Sequence, residues 1–210
     1  MRGAFITFEG TDGSGKTTQV RACAAHLAAR GLPCVVTREP GGTDAGLAIR
    51  SLVLEPRSPA LAPESELLLY AADRAQHVRE TIEPALADGS VVLCDRYADA
   101  TVAYQGYGRR LDLDLIAELN RIATCGLMPD LTLLFDLPVD VSLARLATRS
   151  GEAPTRFDLE AREFHERVRS GYLAIAEAEP ARVYVVDATG TVEEISARAV
   201  EIVDSVVISQ

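Results

Sequence analysis

The chain has 210 residues, 48 % hydrophobic and 25 % charged, with a formal net charge of −10; that length supports one well-cored domain and is short for two. The acidic balance excludes non-specific nucleic-acid binding, which needs a basic face, and leaves any anionic ligand to local cations. No apolar run approaches the roughly 20 residues of a membrane span, and Met1-Arg2-Gly3 followed by a strand lacks the features of a secretory signal, so a cytoplasmic protein with no membrane partner is expected.

Hydrophobic runs of strand length at residues 4–8, 33–37, 91–95, 131–137 and 182–186 alternate with helical patterns at 16–30, 44–54, 62–86, 113–124, 139–149, 159–178 and 191–206. Apolar strands separated by helices predict a parallel sheet of about five strands covered on both faces, hence one α/β domain over residues 1–210. In such sheets ligands bind beyond the carboxyl ends of the strands. Cys23, Cys34, Cys94 and Cys125 show no metal-like spacing and lie in apolar stretches, which predicts buried, reduced thiols.

The first strand leads into Gly10-Thr11-Asp12-Gly13-Ser14-Gly15-Lys16-Thr17, which fits the phosphate-binding pattern G-x-x-x-x-G-K-[ST] between a strand and a helix. Its glycines let backbone N–H groups turn inward around a phosphate at the positive end of the helix. Lys16 then reaches the β/γ-phosphates, and the Thr17 hydroxyl is a ligand for Mg²⁺. Lys16 is the single lysine among 21 Lys and Arg residues, so the bias that favoured arginine elsewhere spared this position.

After the second strand, Thr37-Arg38-Glu39-Pro40-Gly41-Gly42-Thr43 reads as a second anion-binding loop or as a plain turn with a solvated arginine. Arg50 lies on the next helix, lining a site or facing solvent. Tyr70, Asp73, Arg74 and His77 share one helix face by the i, i+3, i+4, i+7 rule. A ring beside a fork of donors brackets a nucleobase; the alternative has Tyr70 in the core and Arg74 paired with Asp73 or Glu66. His77 has no partner visible in the sequence.

Asp95, at the tip of the third strand and followed by Arg96, fits a carboxylate that orders Mg²⁺ beside the phosphate loop. Asp136 is its rival, but Leu137-Pro138 supplies no further donors. Thr101, Tyr104 and Gln105 fall on a short helical segment, and residues 106–110 read as a loop. Arg145 and Arg149 close a helix, and a Gly- and Pro-containing stretch precedes Arg156. The arginines either answer the helix dipole or belong to a lid at about 149–157 that brings cations over transferring phosphates.

These motifs, from Phe8-Glu9-Gly10 through Thr37-Arg38-Glu39-Pro40-Gly41-Gly42-Thr43, Asp95-Arg96-Tyr97 with Ala103-Tyr104-Gln105-Gly106, and Pro129-Asp130-Leu131-Thr132, resemble bacterial thymidylate kinase along nearly the whole chain. The resemblance implies a P-loop nucleoside monophosphate kinase that moves the γ-phosphoryl group of Mg-ATP to dTMP. It implies that Gly10 to Thr17 hold ATP, that Asp12 contacts the acceptor's 3′-hydroxyl, and that Arg38 and Arg96 hold its phosphate, with Arg50 lining the same pocket. Tyr70 would stack on thymine, Arg74, Thr101 and Gln105 would bond the base edge, and Tyr104 would crowd the 2′ position. Gly13 resembles the subgroup that takes a catalytic arginine from the lid, Arg149 or Arg156, although Pro154-Thr155 stand where that pattern has an acidic residue. A homodimer is also implied. The absence of an N-K-x-D motif argues against a GTPase switch, and no H-R-D loop of a protein kinase is present.

Overall fold

The computed structural model describes residues 2–56, 58–148 and 155–207. Strands β1 (Phe5–Glu9), β2 (Cys34–Arg38), β3 (Val91–Asp95), β4 (Leu131–Asp136) and β5 (Val183–Asp187) pair in parallel, in the spatial order β2-β3-β1-β4-β5. Four begin or end a residue or so from the predicted bounds. Register carries function here. Arg38 lies opposite Asp95, and Phe8 lies opposite the same Asp95, so the carboxyl ends of β2, β3 and β1 deliver Arg38, Asp95 and the Glu9–Gly10 junction side by side.

The strands read as unbroken apolar runs because both faces are covered. On one face Ile6, Phe8, Leu93, Leu133 and Phe135 pack with Val20 and Leu27 of α1 (Lys16–Ala29) and with Ile195 and Val203 of α9 (Val192–Val207). On the other, Phe5, Val92 and Cys94 meet Val78, Ile82, Leu86 and Tyr97, while Leu134 and Val183 meet Phe164, Val168 and Tyr172 of α8 (Arg162–Ala178). Each large side chain so buried contributes roughly 1.5–3 kcal/mol.

Two helical readings need correction. The pattern over 62–86 divides into α3 (Pro63–His77), a π-helical turn (Val78–Ile82) and α4 (Glu83–Ala87). Pro84 has no N–H to give, and its ring would crowd the carbonyl four residues back; the wider turn, with Glu83 N–H donating to the Val78 carbonyl, absorbs this. Residues 106–108 are not a loop. After α5 (Ala98–Thr101) a π-helical segment runs Val102–Gly108, and Arg109 N–H donates to the Tyr104 carbonyl. Gly106 is buried there, and a Cβ on it would lie 2.6 Å from Leu113. The remaining helices are α2 (Asp44–Leu54), α6 (Leu113–Thr124) and α7 (Val139–Thr148). The Thr43 hydroxyl caps α2 by accepting from Gly46 N–H. Cys23 and Cys94 are buried as expected, Cys34 is half-buried and Cys125 is exposed; all four are free thiols.

Candidate active site

The loop after β1 is shaped for an anion. Gly15 occupies the N-cap of α1 at φ 87° with no side-chain cap, so the first helical N–H groups are left for a ligand. Gly13, at φ 81°, lets α7 close over the loop, since a Cβ there would sit 2.9 Å from the Ser142 carbonyl. Ser142 Oγ donates to the Asp12 carbonyl (2.5 Å), and Arg145 donates to the carbonyls of Gly13 (3.5 Å) and Ala188 (3.1 Å). Lys16 Nζ donates to the carbonyls of Gly10 (3.0 Å) and Thr11 (2.8 Å) and to Ser14 Oγ (3.4 Å). Burial, then the nearby Arg96, pushes its ammonium down to about 8, so it remains protonated at neutral pH.

Thr17 Oγ1 donates to Asp95 Oδ2 at 2.7 Å. Asp136, the rival carboxylate, is held in a two-bond ion pair by Arg169 of α8 (2.7 and 2.8 Å).

Beside the loop, one cleft is lined by Asp12, Arg50, Tyr70, Arg74, Arg96, Thr101, Tyr104 and Gln105, together with Glu39, Pro40, Phe157 and their neighbours. Arg96 Nη2 donates to Asp12 Oδ1 (2.7 Å) and Tyr104 Oη (3.0 Å); Nη1 donates to the Gly10 carbonyl (3.0 Å) and Tyr172 Oη (2.9 Å). Tyr104 Oη donates to Asp12 Oδ2 at 2.8 Å. Burial alone would raise the Asp12 carboxyl, but Arg96, Lys16 and these hydrogen bonds hold it well below the usual range. Arg50 donates to the Pro40 carbonyl, and burial with the adjacent Arg38 lowers its pKa. Arg38 itself lines the neighbouring cleft with Thr17, Thr37, Gly41, Gly42 and Asp95, not the cleft of Arg96.

Arg74 is fully buried, but its ion-pair partner is neither Asp73 nor Glu66. Nε donates to Glu39 (2.8 Å), Nη1 to Thr101 (3.0 Å) and Asn120 (2.8 Å), and Nη2 to the Tyr97 carbonyl (2.9 Å). One N–H of five is thus left for the cleft. His77 also has partners, Glu39 Oε1 (2.9 Å) and Thr37 Oγ1 (2.6 Å). The second loop is therefore seated on a buried polar floor supplied by α3.

The structure does not bring Arg156 to the phosphate loop. Its Nη2 lies 2.5 Å from Glu66 Oε2, its Nε donates to the Val53 carbonyl, and its guanidinium lies 4.7 Å from the Phe157 ring. Arg149 and residues 150–154 of the expected lid lie outside the described residues. Glu9 and Tyr172 were not singled out from sequence, and Glu66 only as a partner for Arg74. Glu66 is buried and accepts from Gln105 (2.5 Å) and Arg109. Glu9 is buried at the tip of an apolar strand, the same signal that marked Asp95; burial, then Asp99, raises its carboxyl to about 7. Tyr172 lies deep within α8 and carried no motif.

Comparisons with known proteins agree with this geometry. The family model for thymidylate kinase matches residues 8–199, a span that contains every residue of the loop and the cleft. A thymidylate kinase of Desulfosudis oleivorans is 53 % identical over 207 residues, covering 96 % of this chain and 97 % of the relative. Those of Geotalea daltonii and Geobacter sulfurreducens are each 53 % identical, covering 91 % of this chain and 92 % of theirs. A phosphate loop, an acidic strand tip beside its threonine and an adjoining arginine-lined cleft, together with matches of this extent, leave one conclusion: the chain belongs to the thymidylate kinase family, and its activity is that of an ATP-dependent nucleoside monophosphate kinase.

Proposed function

We propose that ATP occupies the loop Gly10–Thr17, that dTMP occupies the adjoining cleft, and that the γ-phosphoryl group passes between them to give dTDP and ADP. The observation that carries this is the cleft's lining: an aromatic ring (Tyr70), the cationic side chains of Arg50 and Arg96, and amide and hydroxyl groups share one cavity with Asp12 of the phosphate loop itself. No general base is needed. A phosphate monoester with a second pKa near 6 is already mostly dianionic at pH 7, so positioning and charge neutralisation remain.

Lys16 serves the β/γ-phosphates and Arg96 the acceptor's phosphate, with Arg50 beside it. Arg38 bridges from the neighbouring cleft. Tyr70 stacks on the base; the free N–H of Arg74, with Thr101 and Gln105, borders the base edge. Asp12 and Tyr104 flank the sugar. Arg149 and Arg156 are the lid's candidates for the catalytic arginine, and the pairing of Arg156 with Glu66 favours Arg149. Mg²⁺ suits Thr17 and Asp95, two hard oxygen donors in contact, and when bound it neutralises charge on the phosphates. Among the described residues no group of three or more His, Cys, Asp or Glu side chains is placed to hold a metal.

A homodimer is the favoured assembly. Helices α2, α3 and α6 pack in series and expose Leu52, Leu68, Leu115 and Ile122. Among the described residues no helix is long and apolar enough to cross a membrane, and the free thiols support a reducing cytoplasmic setting.

The test is ADP release with Mg-ATP and a panel of nucleoside monophosphates. Turnover should be highest with dTMP, weaker with dUMP and negligible with dCMP, dGMP and AMP. Comparable turnover across the panel would keep the kinase and discard the base pocket.

A further inference from the structure

Glu9 takes no part in the transfer described above, yet both of its carboxylate oxygens are committed to the surroundings of Arg96. Oε1 accepts from the Tyr97 N–H at 2.6 Å. Oε2 accepts from the Tyr172 hydroxyl at 2.8 Å, and Tyr172 Oη accepts in turn from Arg96 Nη1 at 2.9 Å. A phenol has one hydrogen. Giving it to Glu9 leaves the Tyr172 lone pairs for Arg96, so the carboxylate sets the direction of the chain.

The backbone is held as well. Arg96 stands at φ 72°, a region that residues with side chains seldom occupy and keep only when neighbours enforce it. The peptide joining Arg96 to Tyr97 is gripped on both sides: its N–H by Glu9, and its carbonyl by the Cys94 thiol at 3.0 Å. One fully buried carboxylate therefore fixes the main chain of residue 96 directly and its guanidinium through α8. A glutamine at position 9 would offer one acceptor oxygen to two donors and break one branch.

We propose that Glu9, acting through Tyr172, is a positioning residue that aims Arg96 at the acceptor's phosphate; this rests on the reading of Arg96 given above. The experiment is a double-mutant cycle. Binding of dTMP and of ADP is measured by titration calorimetry for the wild type, Tyr172→Phe, Arg96→Ala and the double variant, with kcat and KM for dTMP recorded for all four.

Tyr172→Phe keeps the ring and should weaken dTMP binding or lower kcat about tenfold, with ADP affinity within about twofold of wild type. In the Arg96→Ala background the same change should have no further effect, because the group it aims is gone. Glu9→Gln should reproduce the Tyr172→Phe pattern; should it fail to fold, the cycle on Tyr172 still decides. An equal penalty in both backgrounds overturns the positioning role while leaving the reading of Arg96 intact. Wild-type dTMP binding and kcat in Tyr172→Phe overturns it too. If Arg96→Ala itself leaves dTMP binding and turnover unchanged, the underlying assignment of Arg96 is the one that fails.

Discussion

Asp73 is buried beneath the second loop, with Oδ1 accepting from Gly41 N–H at 3.0 Å and Oδ2 without a hydrogen-bond partner among the described residues. Burial, then the adjacent Glu39, raises its carboxyl from 3.8 to about 6. A folded-state pKa above the unfolded one means that the native protein holds this proton more tightly. Its contribution is complete below about pH 4 and is lost as pH rises through 6. Asp73→Asn keeps an acceptor for Gly41 and cannot ionise. The variant should therefore gain on wild type between pH 4.5 and 7.5, by at most about 3 kcal/mol. Urea denaturation at the two pH values reads this directly; an unchanged difference between variant and wild type would refute it. The same neighbourhood marks where sequence stops informing. Spacing put Tyr70 and Arg74 on one helix face, the family resemblance added Gln105, and all three line one cleft. Neither revealed that Arg74 and His77 are both satisfied by Glu39, because that residue comes from a loop 35 or more positions upstream and only tertiary packing selects it.

At the scale of elements, the strands were legible because a sheet buried on both faces must be apolar at every position. Helix interiors were harder. Glycines at 106 and 108 read as breakers, yet they serve close packing inside a π-helical segment, where backbone hydrogen bonds span five residues and a 3.6-residue pattern loses its phase. That segment packs on α8 through reciprocal contacts: a Cβ on Gly108 would lie 2.7 Å from Phe164, and one on Gly171 would lie 2.7 Å from the Tyr107 ring. Gly171→Ala gains up to about 1 kcal/mol in helix propensity, but the overlap falls on the root of the Tyr107 side chain, which cannot swing away cheaply. The overpacking penalty of about 1–3 kcal/mol should win. The melting temperature should fall by several degrees, and KM for dTMP should rise, because Tyr104 lies one turn from Tyr107. A variant as stable as wild type would show that α8 and the π-helical segment can separate without loss.

The chain carries a net charge of −10, and α2, α3 and α6 expose apolar residues, with Leu68 at 56 % and Ile122 at 57 %. A two-fold interface uses the same patch on both copies, so one substitution is felt twice. Light scattering after gel filtration should give a mass near twice 22.5 kDa, and Leu68→Glu should shift it toward the single-chain value. A wild-type mass equal to one chain at micromolar concentration would dismiss the dimer. Nothing in the sequence pattern foretold which helices would carry this face, because the apolar positions of an amphipathic helix do not say whether its own chain or a second copy covers them.

Asp12 belongs to two structures at once. Its carboxylate anchors Arg96 and Tyr104 in the cleft, and its carbonyl is clasped by Ser142 of the helix that closes over the phosphate loop. A nucleotide that adjusts this stretch of backbone cannot leave the cleft wall untouched. The affinities of the two sites are then linked quantities, and linkage runs both ways: whatever factor the donor lends to acceptor binding, the acceptor returns to the donor in full.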